Sequence, residues 1–362
     1  MKILQIAAAA LIALFANPSV GQERVLNVFN WSDYIDPSVL AAFSKETGIR
    51  VVYDTYDSNE RLETRLMAGN SGYDIVVPSA TFMQRQIKAG VYQKLDRSKL
   101  KNAANIWKEI DVRLAQFDPG NEYAINYMWF TTGLAYNVEK IKVALGKPRI
   151  ESWDVLFDQS SLQKLADCGV YMLDSPEDMF AIAMTKLGKN PDDISRQNLQ
   201  NATDLLGRMR PHIKKFHSSE YINALANGDI CLAVAWAGDA YQARNRAREA
   251  NNKIDIAYVI PREGTLMSLD NLVIPKDAKN VEAAYLFIDF LLRPDVAARN
   301  STVTNFANGV LPSQKHLPAE ILANPSIYPD QAMMQRIYSV QSRTSEIQRQ
   351  IARSWVRVKT GR

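Results

Sequence analysis

The stretch Val25-Leu26-Asn27-Val28-Phe29-Asn30-Trp31-Ser32-Asp33-Tyr34 decides the fold. Residues 25–29 form a short apolar run that predicts a β-strand. Asp36-Pro37-Ser38 follows and is typical of a helix start, with an N-cap residue and then a proline in the first turn. Residues 31–34 should therefore lie at the carboxyl end of a strand, which is where open α/β sheets bind ligands.

The four residues at that strand end are Trp31, Ser32, Asp33 and Tyr34, which combine two aromatic rings, a hydroxyl group and a carboxylate. Aromatic faces attract positive charge and can cover methylene groups, and a carboxylate pairs with a protonated nitrogen. The segment therefore predicts a binding site for a small organic cation.

The chain continues with the same alternation of strand and helix. Strands are expected at residues 49–53 and 74–77, and the helices between them should end at Gly48, Gly69 and Gly90. This βαβαβα order predicts a parallel sheet with right-handed crossovers. Ser79 directly follows the third strand, so it should lie at the same sheet edge as Trp31 to Tyr34.

The rest of the chain predicts a second lobe of the same class. An aromatic strand over residues 123–137 should cross into it, and residues 254–261 should return. The fold class is α/β with two lobes, each a mainly parallel sheet flanked by helices, and two hinge crossings near Tyr136 and Tyr258. The expected boundaries are 22–135 plus 258–302 for the first lobe and 136–257 plus 303–362 for the second.

The N-terminus has the pattern of a secretory signal peptide over residues 1–21. Lys2 precedes an unbroken apolar run over residues 6–16, and small residues follow. That run is too short to span a bilayer. We therefore expect an exported, soluble protein. The formal net charge of +4 is close to balance and argues against a nucleic-acid partner.

The chain has two cysteines, Cys168 and Cys231, and three histidines. In an exported chain an even pair favours a disulfide over a metal site, so we expect neither a metal nor a cofactor. Serine-hydrolase elbows, zinc-protease motifs and phosphate-binding glycine loops are absent from the sequence. The cluster His217-Ser218-Ser219 leaves one enzymatic alternative, an exported hydrolase, although a turn or helix cap explains it more simply.

Further candidate residues lie at strand ends in both lobes, and each also has a structural explanation. Asp239 could cap a helix, Asp178 lies in a first turn where the helix dipole favours acids, and Asp270 could belong to a turn. Trp31 and Trp236 could be core residues. Taken together, however, acids and aromatic rings recur at strand ends in two lobes, which favours one shared binding site.

The chain resembles the periplasmic putrescine/spermidine-binding proteins of polyamine ABC transporters over nearly all of its mature length. The resemblance rests on segments spread along the chain, at residues 30–34, 46–54, 74–79, 127–133, 226–231 and 236–239. It implies a two-lobed periplasmic binding protein that closes around its ligand and has a cysteine pair bridged in relatives. We therefore expect a monomer that captures a polyamine and delivers it to a membrane ABC permease.

The resemblance also implies residue roles. Asp239 and Asp270 match carboxylates that take a ligand ammonium group. Trp31 and Trp236 match rings that flank the aliphatic chain. The polar groups that surround the other end of the ligand are matched by Ser32, Asp33, Tyr34 and Ser79.

Three positions depart from the family pattern. Asp178 stands where the family usually has glutamate, Ser268 where a large aromatic residue is expected, and Phe306 where putrescine-selective relatives have tyrosine. Serine at position 268 removes a wall of the site, and phenylalanine at position 306 removes a hydroxyl group. Putrescine is the first expectation, then spermidine or agmatine. The alternative within the binding class is a binding protein or sensor for another cationic small molecule.

Overall fold

The structure is a computed structural model that describes residues 24–361. The predicted signal peptide, residues 1–21, lies outside the described residues. Within residues 24–361, no helix is both long and apolar enough to cross a membrane.

The described residues form strands and helices that alternate along most of the chain. The strands are β1 (Val25–Trp31), β2 (Arg50–Tyr56), β3 (Ile75–Val76), β4 (Ala124–Asn137), β5 (Val170–Met172), β6 (Lys215–Phe216), β7 (Leu232–Trp236), β8 (Ile256–Val259), β9 (Thr265–Val273), β10 (Ala307–Asn308) and β11 (Ile337–Tyr338). The first helices are α1 (Pro37–Thr47), α2 (Asn59–Met67), α3 (Ala80–Lys88), α4 (Lys108–Leu114), α5 (Val138–Leu145), α6 (Asp154–Phe157), α7 (Gln159–Ala166) and α8 (Pro176–Lys186). They are followed by α9 (Arg196–Met209), α10 (Glu220–Ala226), α11 (Ala237–Glu249), α12 (Val281–Leu291), α13 (Pro294–Thr304), α14 (Ala319–Leu322), α15 (Gln331–Met334) and α16 (Ser345–Thr360). Short 3-10 helices lie at Arg97–Lys99, Ala103–Asn105, Arg210–His212 and Leu311–His316.

The opening segment folds as its sequence predicts. Asp36 caps α1 by accepting a hydrogen bond from the Ser38 backbone N–H, and Pro37 occupies the first turn. Gly48 ends the helix with φ 69°, a left-handed conformation that glycine adopts without steric cost. β1 pairs in parallel with β2 and β3, so the predicted parallel sheet of the first lobe is present.

Two long antiparallel strands, β4 and β9, run through the middle of the molecule. The first half of β4 pairs with β9 as far as Thr131, which lies opposite Met267. From Thr132 onward β4 pairs instead with β7 and β8. The chain therefore changes partners between Thr131 and Thr132, several residues before the predicted crossing at Tyr136.

The return to the first lobe also differs from its prediction. β8, which contains Tyr258, pairs with the second half of β4, so the return comes later, within β9. β10 pairs with Trp129 and Met128 in the first half of β4, whereas the expected boundaries put residues 303–362 in the second lobe. The alternative that Asp270 belongs to a turn is wrong, because Ser268, Leu269 and Asp270 lie inside β9 and not before it.

The crossing point is held by close packing around Gly133. A Cβ atom at this position would lie 2.6 Å from the Tyr258 ring and 2.4 Å from the Val259 carbonyl oxygen. The Tyr258 hydroxyl group reaches back to donate a 2.8 Å hydrogen bond to the Thr131 carbonyl oxygen. Glycine is therefore required where β8 lies against β4.

The predicted disulfide is present. Cys168 and Cys231 are bonded, with 5.5 Å between their Cα atoms. Cys168 lies just before β5 and Cys231 just before β7, two neighbouring parallel strands of the second lobe. The bond therefore joins two strands that the sheet already holds side by side.

Candidate binding site

One cavity between the carboxyl ends of the strands collects every residue of the predicted ligand site. It encloses about 870 Å³, including space open to solvent at its mouth. Its lining includes all the predicted site residues, which are Trp31, Ser32, Asp33, Tyr34, Ser79, Asp178, Trp236, Asp239, Ser268, Asp270 and Phe306.

Asp270 is a buried carboxyl group in β9. Its Oδ1 atom accepts a 2.6 Å hydrogen bond from the Ser79 hydroxyl group, which is the N-cap position of α3. Burial raises the pKa of Asp270 to about 7, and the hydrogen bond from Ser79 opposes that rise. Ser79 and Asp270 therefore line the cavity together, Ser79 from the residue after the β3 segment and Asp270 from inside β9.

Asp239 lies in the first turn of α11. Its Oδ2 atom accepts a 2.5 Å hydrogen bond from the hydroxyl group of Tyr221, which is fully buried in α10. Burial raises the pKa of Asp239 to about 7, while Tyr221 opposes that rise. The nearby Asp33 carboxylate raises the pKa of Asp239 slightly further.

Asp178 is the third buried carboxyl group and lies in the first turn of α8. Thr132 and Ser175 each donate a 2.5 Å hydrogen bond to one of its two oxygen atoms. Burial raises its pKa, and these two hydrogen bonds oppose the rise. Its helix position thus agrees with the structural explanation, yet the carboxyl group also lines the cavity.

Aromatic rings form the apolar walls between these acids. The rings of Trp31 and Trp236 meet edge to face with centroids 5.9 Å apart. Phe306 packs edge to face on Tyr34 at 4.7 Å and on Phe130 at 5.2 Å. An aliphatic chain could therefore be covered by rings along its length while its ends meet carboxylates.

Two buried polar atoms in the lining, the Tyr34 hydroxyl group and the Trp236 indole nitrogen, meet no partner at ordinary hydrogen-bond distance and angle among the described residues. Each nevertheless interacts with a buried acid of the site, since Tyr34 lowers the pKa of Asp270 and Trp236 lowers the pKa of Asp178. The Asp270 carboxylate in turn raises the pKa of Tyr34 beyond the effect of burial. These two donors therefore lie beside the carboxyl groups of the site.

Asp33 differs from the other acids of the site. It is about half exposed, and its Oδ2 atom lies 3.1 Å from a guanidinium nitrogen of Arg246 in α11. Its backbone is in the left-handed region with φ 55°. The sequence therefore placed Asp33 correctly in the cavity but did not show that a basic side chain from the opposite wall already pairs with it.

Several residues that support the site were missed by sequence reasoning. Asn59 holds Ser79 twice, accepting a 3.1 Å hydrogen bond from its backbone N–H and donating a 3.0 Å one to its hydroxyl oxygen. Asn126 donates to the carbonyl oxygen of Asp270 at 3.1 Å. Asn59 begins α2 three residues after the end of β2 and could have been found by the strand-end rule, and Asn126 is a polar residue in the mainly apolar first half of β4. Tyr221 gives no such signal.

The cluster His217-Ser218-Ser219 caps α10. The His217 Nδ1 atom accepts hydrogen bonds from the backbone N–H groups of Ser219 and Glu220, each 3.1 Å long. The Nδ1 atom therefore serves the start of the helix, and the Ser219 hydroxyl group also lies 3.4 Å from it. Ser218 and Ser219 do line the cavity mouth. No group of three or more potential metal ligands occurs within residues 24–361.

The sequence matches a family described as bacterial extracellular solute-binding proteins over residues 38–327. It is 46% identical over 357 residues to the putrescine-binding periplasmic protein PotF of Escherichia coli (strain K12), covering 98% of this chain and 96% of the relative. It is 47% identical over 340 residues to the putrescine-binding periplasmic protein SpuD of Pseudomonas aeruginosa (strain UCBPP-PA14), covering 94% of this chain and 93% of the relative.

A solved structure shows the same architecture. The spermidine/putrescine ABC transporter substrate-binding protein PotD from Streptococcus pneumoniae has a TM-score of 0.77 at 29% identity, covering 93% of this chain and 99% of that chain. These comparisons confirm the predicted α/β type II binding-protein fold and the periplasmic location. The chain belongs to the family of bacterial extracellular solute-binding proteins.

Proposed function

We propose that this protein captures a polyamine in the cavity between its lobes and delivers it to a membrane ABC permease, with putrescine as the first ligand and spermidine or agmatine as the next. The single observation that carries the proposal is the placement of Asp178, Asp239 and Asp270. All three are buried carboxyl groups in one aromatic-lined cavity. Each accepts hydrogen bonds from hydroxyl groups. The donors are Thr132 and Ser175 for Asp178, Tyr221 for Asp239 and Ser79 for Asp270.

Burying a carboxylate without a positive partner is costly, and the raised pKa values of these groups express that cost. A ligand that carries ammonium groups at both ends would neutralise carboxylates from both sides of the cavity. Its methylene chain would lie against the indole rings of Trp31 and Trp236. A ligand lacking the second amine would leave one carboxylate unpaired and should be rejected.

The names of the relatives support the choice of ligand. The two proteins compared above at 46% and 47% identity are named putrescine-binding. The residues that the family resemblance assigned to ligand contact all line this cavity. The proposal includes no chemical step, because capture needs only pairing, burial and closure of the lobes by a hinge motion.

Thermal unfolding of ligand-free protein tests the proposal. Putrescine, spermidine, agmatine, lysine and butylamine would each be added in excess, and any hit would be followed by calorimetric titration. A ligand at 100 times its dissociation constant adds about 2.7 kcal/mol to the free energy of unfolding. We expect the diamines and polyamines to raise the midpoint and butylamine and lysine to leave it unchanged. If butylamine stabilises the protein as much as putrescine does, then the proposal that carboxylates pair with both ammonium groups of the ligand is wrong.

A further inference from the structure

A short chain of side chains leads from the start of α2 to the buried carboxyl group of Asp270. The Asp270 Oδ1 atom accepts a 2.6 Å hydrogen bond from the Ser79 hydroxyl group. The Asn59 Nδ2 atom in turn donates a 3.0 Å hydrogen bond to the oxygen of that hydroxyl group. Asn59 begins α2, Ser79 directly precedes α3, and Asp270 lies in β9. We call these three residues the serine relay.

The protein backbone fixes which way the Asn59 amide group points. The backbone N–H of Ser79 donates a 3.1 Å hydrogen bond to the Asn59 Oδ1 atom. A side-chain amide nitrogen carries two hydrogens and does not accept hydrogen bonds, so the amide atom that faces this N–H must be the oxygen. The Nδ2 atom is therefore the one that faces the Ser79 hydroxyl group, and it can only donate there.

This orientation determines where the Ser79 hydroxyl hydrogen points. A hydroxyl group has one hydrogen to donate. That hydrogen cannot point at Asn59 Nδ2, which already donates to the same oxygen, so it is directed at Asp270. Serine at an N-cap position commonly binds the first turn of its own helix. Ser79 occupies the N-cap of α3 but makes no such side-chain hydrogen bond, so its hydroxyl group is committed to Asp270.

The serine relay is built on one side of the cavity. The backbones of Ser79 and Asp270 form an isolated antiparallel bridge. Next to it, the Asn271 N–H donates a 3.1 Å hydrogen bond to the Pro78 carbonyl oxygen. Asp270 also pairs with Met128 in the first half of β4. The relay therefore needs no contact from the second lobe and can be in place before a ligand arrives.

Asp270 has no positive partner in the cavity, because the described lining contains neither lysine nor arginine. The titratable groups that interact with it are Tyr34, Tyr56 and Asp178. Burial and the Asp178 carboxylate raise the pKa of Asp270, whereas the hydrogen bonds from Ser79 and Tyr34 lower it. A hydrogen bond donated to a carboxylate favours its ionised form. The direction of the Ser79 hydrogen therefore affects which form of Asp270 a ligand meets.

We propose that Asn59 is a positioning residue that commits the Ser79 hydroxyl hydrogen to Asp270, so that this carboxyl group meets a ligand ammonium group in its ionised form. The inference rests on the proposed function, because it concerns how the same site is prepared for a cationic ligand. Asn59→Asp separates this role from packing. The new carboxylate still accepts from the Ser79 N–H, but it offers the hydroxyl group a second acceptor in place of a donor.

Calorimetric titration with putrescine over a range of pH tests the role of Asn59. We expect Asn59→Asp to weaken putrescine about tenfold at pH 7 and to move the rise in affinity to higher pH, because Asp270 loses its committed donor. Charge attraction alone would strengthen binding, since the change adds a negative charge near a cationic ligand. In a Ser79→Ala background the relay is already broken, so Asn59→Asp should no longer weaken putrescine.

Asn59→Ala is the second variant, in case Asn59→Asp does not fold. It leaves the Ser79 hydroxyl group free to rotate, and we expect a loss of about threefold that also requires Ser79. Asn190→Asp is the matched control, because Asn190 is exposed, lies outside the cavity lining and likewise accepts a 3.0 Å hydrogen bond from a backbone N–H group. The control should leave putrescine affinity within about twofold of wild type.

Two results would overturn the inference. One is putrescine binding by Asn59→Asp that is as tight as in wild type and has the same pH dependence. The other is an equal loss of affinity with and without the Ser79 hydroxyl group, which would indicate a role in packing alone. If wild-type protein binds putrescine, either result removes this inference and leaves the proposed function standing. If wild-type protein binds neither putrescine nor spermidine, the proposed function fails and the inference fails with it.

Discussion

The ring of Phe306 lies directly on Gly238, so closely that a Cβ atom at Gly238 would be 2.2 Å from the ring atoms Cδ2 and Cε2. Gly238 belongs to the first turn of α11, next to Asp239, while Phe306 precedes β10, which pairs with the first half of β4. This contact therefore joins the two sides of the cavity. It explains why a glycine stands between Trp236 and Asp239 in the strand-end segment.

Gly238→Ala should lower both stability and ligand affinity, because the added methyl group must displace a buried ring. Overpacking of this kind typically costs about 1–3 kcal/mol. Gly207→Ala is the matched control, since Gly207 lies in α9 with no heavy atom within 4 Å of the added Cβ. The control should gain up to about 1 kcal/mol. Urea unfolding measures the free energy of unfolding of both variants. Equal values for the two variants would contradict this role for Gly238.

Asp239→Asn and Asp270→Asn should each weaken putrescine binding strongly without destabilising the empty protein. Loss of one partner of a buried charge pair costs about 3–5 kcal/mol, which corresponds to about 100-fold or more in affinity. In the empty protein the same change removes a buried carboxyl group. Calorimetry and thermal unfolding report the two effects separately.

Asp167→Asn is the control for these variants, since Asp167 is an exposed acid at the end of α7. It should change neither affinity nor stability appreciably. A putrescine affinity within about twofold of wild type in both cavity variants would show that these carboxylates do not hold the ligand.

Stability and binding should respond to pH in opposite directions. The folded pKa values of Asp239 and Asp270 are about 7, above the value of about 3.9 for an unfolded aspartate. Their contribution to stability is therefore fully present below about pH 4 and is lost as the pH rises through about 7. Because of Asp239 and Asp270, the empty protein should unfold at a lower temperature at pH 8 than at pH 5.5.

A cationic ligand favours the ionised carboxylates, so its affinity should rise over the same interval and its binding near pH 7 should release protons. Calorimetric titration in buffers of different ionisation enthalpy measures that release. Asp270→Asn should reduce both the pH dependence and the number of protons released. Binding enthalpies that do not depend on the buffer would contradict the assignment.

His217→Ala should cost stability and leave ligand binding intact, because Nδ1 accepts the N–H groups of Ser219 and Glu220 at the start of α10. Loss of a helix cap typically costs about 0.5–2 kcal/mol. His217→Asn keeps a side-chain acceptor and should recover part of the loss. A hydrolase that uses His217 would instead lose all turnover of its substrate in both variants.

Removal of the disulfide should lower the unfolding temperature of the whole protein. The bond between Cys168 and Cys231 closes a loop with a sequence separation of 63 residues. In the chain-entropy account, a loop of this length is worth about 4 kcal/mol. The double variant Cys168→Ala with Cys231→Ala, and wild-type protein with reductant, should both show the shift. Putrescine affinity should change little at 25 °C, since the bond lies outside the cavity lining. An equal unfolding midpoint with and without the bond would show that the disulfide does not stabilise the protein.

The parts of the site that depend on local chemistry follow from the amino-acid sequence alone. Residues 31–34 lie at the end of a strand because an apolar run precedes them and an Asp36-Pro37 helix start follows them. The disulfide and the clustering of the strand-end acids were predicted as well. Such features require only the alternation of side chains, helix capping and the rule that parallel strands present their carboxyl ends at one edge.

The way in which distant segments meet depends on the folded structure. Arg246 pairs with Asp33, Phe306 lies on Gly238, and Asp270 falls inside β9 because that strand extends along β4. These relationships join residues far apart along the chain. Their geometry depends on sheet register and packing, which local propensity does not specify.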